Sequence, residues 1–133
     1  MYERQVTTVK KWKNKESRLT CEVVKHFQPE FRHDGKCYVP ERTHYCGYVY
    51  FKRLPWMTNW EECEFSEFVN VHGGITWLRE DDGIVKMGFD TCHYGDFGED
   101  YMSGKTIWSD EMAICETNHM AIQVGRLLES KNE

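Results

Sequence analysis

Residues 69–90, VNVHGGITWLREDDGIVKMGFD, contain the clearest β-hairpin signal in this chain. Apolar residues lie on both sides of Asp82-Gly83, and an Asp-Gly pair between two such runs is a strong signal for a hairpin turn. The pattern predicts one strand over residues 69–78 and a returning strand over residues 84–90. Because hairpin strands run in opposite directions, the sheet is expected to be antiparallel here.

Two further strands are expected upstream, over residues 19–27 and 45–51, because both stretches are rich in β-branched and aromatic residues. Residues 29–44 contain an Asp-Gly pair and two prolines, which predict a hairpin loop or an irregular excursion. Gly47, inside the second of these strands, predicts either a bulge or a close approach of neighbouring backbone.

Helices are expected in two places. Thr58 predicts the cap of a short helical turn over residues 59–63. Ser109, followed by two acidic residues, predicts the start of a long helix that continues to about Ser130. The apolar residues of this helix fall near one face at helical spacing: Ala113, Met120, Val124, Leu127 and Leu128. The predicted fold class is therefore α+β, a mainly antiparallel sheet with a long C-terminal helix packed on one face.

Length and charge limit the kind of protein. The chain has 133 residues and a formal net charge of −5, which fits one domain and does not indicate an extended nucleic-acid surface. Residues 1–18 hold six basic and two acidic residues and are predicted to be a basic N-terminal arm, followed by a single α+β domain over residues 19–133. Neither a membrane-spanning run nor a secretory leader is visible, so we expect a cytoplasmic protein with no membrane partner.

The chain has six cysteines, which we expect to be reduced thiols because no secretory leader is visible. No two of them form a C-x-x-C pair, which is the spacing typical of structural zinc sites. The sequence therefore does not indicate a cysteine-based zinc site.

The first candidate binding motif is His72-Gly73-Gly74-Ile75-Thr76. The two glycines permit positive φ and let a ligand approach the backbone, so their N–H groups are candidates for anion binding. His72 and Thr76 add side chains that donate or accept hydrogen bonds. A β-bulge explains the same glycines without a ligand, and both interpretations stay open at this point.

The second candidate motif contains Asp90, His93 and Asp96 at spacings of three. These residues share one face only if the backbone turns helically. Imidazole and carboxylate groups suit a divalent metal ion or general acid–base chemistry, so the three residues are candidate metal ligands. The alternative is that Asp90 caps a turn and His93 fills a half-buried polar position.

The predicted hairpin brings these two motifs together. If residues 71–76 pair with residues 85–90, His72 lies near Asp90 at one end of the sheet. Convergence of polar groups of this kind is typical of a binding site. The predicted ligand-binding residues are His72, Gly73, Gly74, Thr76, Asp90, His93 and Asp96.

Four segments, YCGYVYF, VHGGITW, GFDTCHYGD and VGRLLES, occur in this order and resemble a pattern in small uncharacterised proteins of tailed bacteriophages. That pattern is a CGYV strand, an HGG-(Ile or Leu)-T strand and then GFD-x-x-H-x-GD, which is its most specific part. The resemblance covers roughly residues 19–130, whereas Thr91, Cys92, Tyr94 and the basic arm depart from the pattern. It implies a phage-encoded protein in the host cytoplasm and brings no known activity.

Three functions follow as hypotheses. The first is a small-ligand-binding protein, a counter-defence factor that sequesters a nucleotide-type immune signal, with the ligand held between subunits of a homo-oligomer. The second is a metal-dependent hydrolase that cleaves a phosphoester or an amide with a divalent ion at the His/Asp cluster. The third is a protein-binding inhibitor of a host defence factor, whose acidic surface mimics nucleic acid.

Overall fold

The structure is a computed structural model that describes residues 4–39, 41–97 and 105–130. The strands are β1 (Gln5–Lys13), β2 (Thr20–Gln28), β3 (Phe31–His33), β4 (Lys36–Val39), β5 (Arg42–Lys52), β6 (Trp77–Asp81) and β7 (Ile84–Asp90). The helices are α1 (Glu62–Phe68) and α2 (Asp110–Ser130), and Pro55–Met57 and Tyr94–Phe97 form 3₁₀ turns. Five strands form one antiparallel sheet in the order β1-β2-β5-β7-β6, and β3 and β4 form a separate hairpin. The predicted α+β class is confirmed.

Both Asp-Gly pairs turn a hairpin. Asp82 and Gly83 have φ angles of 51° and 79°, and Asp34 and Gly35 have φ angles of 53° and 76°. Positive φ at both central residues defines the type I′ turn, whose twist matches that of the flanking strands. The predicted turn between the strands now named β6 and β7 is therefore confirmed.

The core lies between α2 and one face of the sheet. Val85, Met87 and Phe89 alternate along β7 and are almost completely buried, as expected for a strand with one covered face. At Gly47 the backbone passes close to α2, because an added Cβ would lie 2.2 Å from the hydroxyl oxygen of Thr117. The pairing of β2 with β5 runs through Gly47 without a register shift, so the glycine marks a close approach and not a bulge.

Helix α2 begins as predicted, because the N–H of Met112 donates to the hydroxyl of Ser109 at 3.2 Å. The prediction for the shorter helix is wrong. Thr58 ends the 3₁₀ turn, and α1 begins later, after Glu61, whose N–H donates to the side chain of Glu64 at 3.3 Å. The capping box formed by Glu61 and Glu64 sets the start of α1, in place of the cap predicted at Thr58.

The basic segment supplies β1, an edge strand whose side chains are mostly exposed. Exposed lysines on an edge strand discourage pairing with another chain. Among the described residues, no helix is both long and apolar enough to cross a membrane.

Candidate functional site

Residues 69–76 form an irregular segment that carries the HGG motif. Gly73 and Gly74 adopt φ angles of 70° and 80°, which an extended strand excludes. The N–H of Gly74 donates to the carbonyl of Val71 at 2.9 Å and closes a tight turn. The prediction of a strand over residues 69–78, paired with β7 along that length, is therefore wrong.

This turn changes what the glycines can offer a ligand. The N–H of Gly74 already has a backbone partner, so it does not line an anion site as the sequence suggested. The N–H of Thr76 donates to the carbonyl of Gly88 at 3.0 Å, just ahead of β6. The motif thus leads into the sheet from outside it.

Helix α2 holds this segment in place through its backbone. The amide of Gln123 bonds both the N–H and the carbonyl of Asn70, each at 2.7 Å. The carboxylate of Glu116 accepts the N–H of His72 at 2.7 Å. Val71 and Ile75 are buried on either side, so the position of His72 is fixed by packing and by helix side chains.

Asp90 acts as a cap at the end of β7. One carboxylate oxygen accepts the N–H of Cys92 at 2.9 Å, and the other accepts the hydroxyl of Thr76 at 2.8 Å. This is the capping role that the sequence allowed as an alternative. The two motifs nevertheless meet here, because Thr76 belongs to the first and Asp90 to the second.

Asp96 is the centre of the site. Its side chain is only 2% exposed, and its two oxygens face four nitrogen atoms. One oxygen accepts the backbone N–H of His93 at 2.9 Å and lies 3.1 Å from Nδ1 of the same residue. The other accepts the indole N–H of Trp108 at 2.9 Å and lies 2.7 Å from Nε2 of His72. A buried carboxylate thus draws both candidate histidines together.

The ionised form of Asp96 is favoured despite its burial. Burial alone raises the pKa of this carboxyl group, but the hydrogen bonds from the backbone and ring of His93 and from the indole of Trp108, together with the nearby charge of His72, outweigh it. The net effect is a pKa below the ordinary value. Hydrogen bonds to the charged form are the physical cause.

Nε2 of His72 has an unusual environment. It lies close enough to Asp96 for an ion pair, yet it is buried and has no hydrogen-bond partner of acceptable geometry among the described residues. The two atoms are close, but their alignment is poor for a hydrogen bond, which weakens steeply off its axis. Nε2 of His72 is therefore a buried polar atom whose hydrogen-bonding capacity is unsatisfied, which is uncommon in folded proteins.

His93 forms the exposed side of the site. Its side chain is 41% exposed, and its Nδ1 lies 3.7 Å from an oxygen of Asp90. The ring rests on Gly73, where an added Cβ would lie 2.5 Å from Cε1 of His93. Gly73 is therefore required both for its positive φ and for the space that the imidazole occupies.

The donor atoms form a compact set. A ring nitrogen of His72, a ring nitrogen of His93 and a carboxylate oxygen of Asp96 lie within 4.8 Å of one another. Of the residues predicted from sequence, Asp90 and Thr76 lie beside this set and Gly73 supports it. The sequence did not identify Trp108, Glu116 or Gln123, which reach the site from α2 or from the residues just before it.

A groove of about 610 Å³ lies next to His72. Its walls include Gly73, Trp108, Glu116 and His119. The rings of His72 and Trp108 lie 4.8 Å apart between their centroids. A small polar ligand in this groove would therefore contact His72, which is one of the three residues of the donor set.

Comparison of this chain with protein-family models, curated proteins and solved structures finds no match in any of the three. The resemblance to bacteriophage proteins therefore stays a prediction.

Proposed function

We propose that the protein binds a divalent transition-metal ion through His72, His93 and Asp96 and uses it to hydrolyse a phosphoester or an amide. The observation that carries the proposal is the set of three ligand atoms within 4.8 Å of one another. Two imidazoles and one carboxylate are a ligand set of catalytic zinc and non-haem iron sites, which keep positions for water and substrate.

The surroundings of Asp96 support this assignment. Metal-binding carboxylates are themselves hydrogen-bonded by outer groups that fix their orientation. The backbone N–H of His93 and the indole of Trp108 fill that role. Coordination would also give Nε2 of His72 the partner that it otherwise lacks.

The proposed chemistry is hydrolysis by an activated water molecule. When bound, the ion would supply Lewis-acid activation of water and substrate. The carboxylate of Asp90 is 28% exposed and lies 3.7 Å from Nδ1 of His93. Its oxygens already accept the N–H of Cys92 and the hydroxyl of Thr76, but a carboxylate has about four acceptor sites, so we propose it as the group that would accept the proton from the attacking water. The exposure of His93 leaves a path for substrate.

Calorimetric titration of the purified protein with Zn²⁺ tests the metal site. We expect one ion per chain at the cluster, and loss of that binding in His72→Gln and in His93→Gln. The matched control is His119→Gln, because His119 lines the same groove but is 71% exposed and lies outside the cluster. Equal loss of binding in all three variants would contradict the assignment.

Turnover is measured with bis(p-nitrophenyl) phosphate and with an acyl p-nitroanilide, each with and without Zn²⁺. Hydrolysis that needs the ion and disappears in His93→Gln supports the hydrolase. Metal binding with no cleavage of either substrate removes the hydrolase and leaves a metal-binding protein.

A second candidate function is sequestration of a small ligand without turnover, and the groove beside His72 favours it. Trp108 lines this groove, and stacking of a nucleobase on an aromatic side chain is worth about 1–3 kcal/mol per base. A phage-encoded counter-defence protein that holds a nucleotide-type signal would use such a site. Calorimetry with cyclic dinucleotides, followed by chromatography of the recovered ligand, tests it: unchanged ligand at full occupancy is expected, and no binding contradicts it.

A further inference from the structure

A second cluster of metal-binding side chains lies on the sheet face opposite α2. His26 on β2 is the direct cross-strand partner of His44 on β5, and Cys46 lies two residues beyond His44. Because side chains alternate along a strand, these three residues point to the same face. The opposite side chains of β2 and β5, among them Cys21 and Val49, belong to the core beneath α2.

The donor atoms of these three side chains are already close enough together to share one metal ion. A ring nitrogen of His26, a ring nitrogen of His44 and the sulfur of Cys46 lie within 4.8 Å of one another. The two imidazole rings are stacked, with centroids 4.6 Å apart and planes inclined by 2°. Nδ1 of His26 is buried and has no hydrogen-bond partner within the described part of the chain, which is costly unless something binds it.

Coordination sets the protonation state that each ligand must have. Imidazole binds a metal in its neutral form, and cysteine binds as the thiolate. Metal binding therefore releases the thiol proton of Cys46.

We propose that His26, His44 and Cys46 bind one monovalent copper ion, Cu⁺, through two imidazole nitrogens and one thiolate. Thiolate ligands favour soft ions such as Cu⁺, and two histidines with one cysteine are a known trigonal copper ligand set. Structural zinc sites almost always take four ligands, whereas three donors from the described residues converge here. The thiol proton leaves for solvent as the copper–sulfur bond forms, so the metal–thiolate unit carries no net charge.

The charges around the cluster favour the same ion. A cavity of about 220 Å³ beside the two histidines is also lined by Arg4 and Arg42. The carboxylate of Asp90, which also acts on His44 and Cys46, offsets one of these two guanidinium charges. The remaining one still disfavours an additional positive charge nearby. A divalent ion on one thiolate leaves a net charge of +1 beside them, whereas Cu⁺ leaves none.

The test uses the Cys63→Ser/Cys92→Ser/Cys115→Ser protein as parent, because these three cysteines are exposed and would bind copper by themselves. Competition with bathocuproine disulfonate under anaerobic, reducing conditions reports the affinity for Cu⁺. We expect one Cu⁺ per chain, and an affinity at least ~100-fold lower in Cys46→Ser, since even groups outside the ligand set change metal affinity about 10–100-fold. His33→Gln, an exposed histidine on β3, is the control and should bind Cu⁺ as the parent does.

X-ray absorption at the copper edge gives a second readout, expected to show one sulfur and two nitrogen ligands. Unchanged affinity in a folded Cys46→Ser protein, or a spectrum with sulfur ligands alone, would overturn the proposal. His44→Gln carries the same test if Cys46→Ser does not fold, and unchanged affinity in that variant is equally contradictory.

Discussion

Replacing Gly73 by alanine should damage the site more than the same change at the adjacent Gly74. Both glycines have positive φ, at 70° and 80°, so both alanine variants bear a similar backbone strain of roughly 1–2 kcal/mol. They differ in what the new methyl group meets. At Gly73 it would lie 2.5 Å from the ring of His93, whereas at Gly74 the nearest atom is the Ser66 hydroxyl oxygen at 3.8 Å.

The consequence for stability can be estimated from these contacts. His93 is partly exposed, so its ring can move aside, but it then loses its contact of 3.1 Å with Asp96. One hydrogen bond of this kind contributes about 1 kcal/mol net. We therefore expect Gly74→Ala to lower the free energy of unfolding by about 1 kcal/mol, after the entropy that alanine removes from the unfolded chain is allowed for. Gly73→Ala should lower it by about 2 kcal/mol.

Metal binding should separate the two variants more clearly. Displacement of His93 removes one ligand in Gly73→Ala, so the affinity for Zn²⁺ should fall at least ~10-fold, while Gly74→Ala should stay close to the parent. Urea unfolding at pH 7 and calorimetric Zn²⁺ titration measure the two quantities. Equal stabilities and equal affinities in the two variants would refute the placement of His93 against Gly73.

Three further predictions follow from the same contacts. Asp96 has a lowered pKa in the folded state. Its stabilising effect is therefore complete above its pKa in the unfolded chain, about 3.8, and disappears as the pH falls through the folded pKa. Urea unfolding between pH 6 and pH 2 should show this loss of stability in the parent and not in Asp96→Asn. Burial holds the pKa of His44 near 4 in the folded state instead of 6.5, so the unfolded chain takes up a proton first as the pH falls. The free energy of unfolding of the parent should therefore drop by about 1–2 kcal/mol between pH 6.5 and 4, after allowance for solvent screening. His44→Gln should lose less, and identical pH profiles in the two proteins would contradict this. Gly47→Ala places a methyl 2.2 Å from Thr117 and should cost about 1–3 kcal/mol by overpacking, whereas Gly95→Ala, with open space around it, should leave the urea midpoint within error.

The parts of the fold that were predictable depend on local signals. The two Asp-Gly turns require positive φ at both positions, and Asp followed by Gly is a pair that adopts these angles readily. The start of α2 likewise follows from Ser109 and the acidic residues after it. The spacing of three between His93 and Asp96 left open whether the two share a face, and the structure supplies the turn that this requires: the N–H of Asp96 donates to the carbonyl of His93 at 3.0 Å, next to the 3₁₀ turn Tyr94–Phe97.

The parts that were missed depend on residues far apart in sequence. The segment around His72 was predicted to be a strand because its apolar residues resemble one. Its actual path is set by Glu116 and Gln123 of α2, which are 44 and 53 positions away from their partners. No local pattern reports such contacts. The predicted meeting of His72 with the second motif does occur, but Asp96 and α2 bring it about and the β6–β7 ladder does not.

The same reasoning explains why the second cluster, formed by His26, His44 and Cys46, could not be predicted from the sequence. Metal sites are recognised by closely spaced ligands, and the sequence has no C-x-x-C pair. Here His44 and Cys46 are two residues apart on one strand, and His26 joins them only through the register of β2 with β5. That register becomes known only when the sheet is assembled.

Anomalous diffraction at the zinc edge, from crystals grown with Zn²⁺, locates the metal directly. We expect a peak about 2.0–2.2 Å from an imidazole nitrogen of His72, an imidazole nitrogen of His93 and a carboxylate oxygen of Asp96. The peak should be absent in crystals of His93→Gln. A zinc ion bound elsewhere, with Asp96 still hydrogen-bonded to His93 and Trp108, would contradict this assignment.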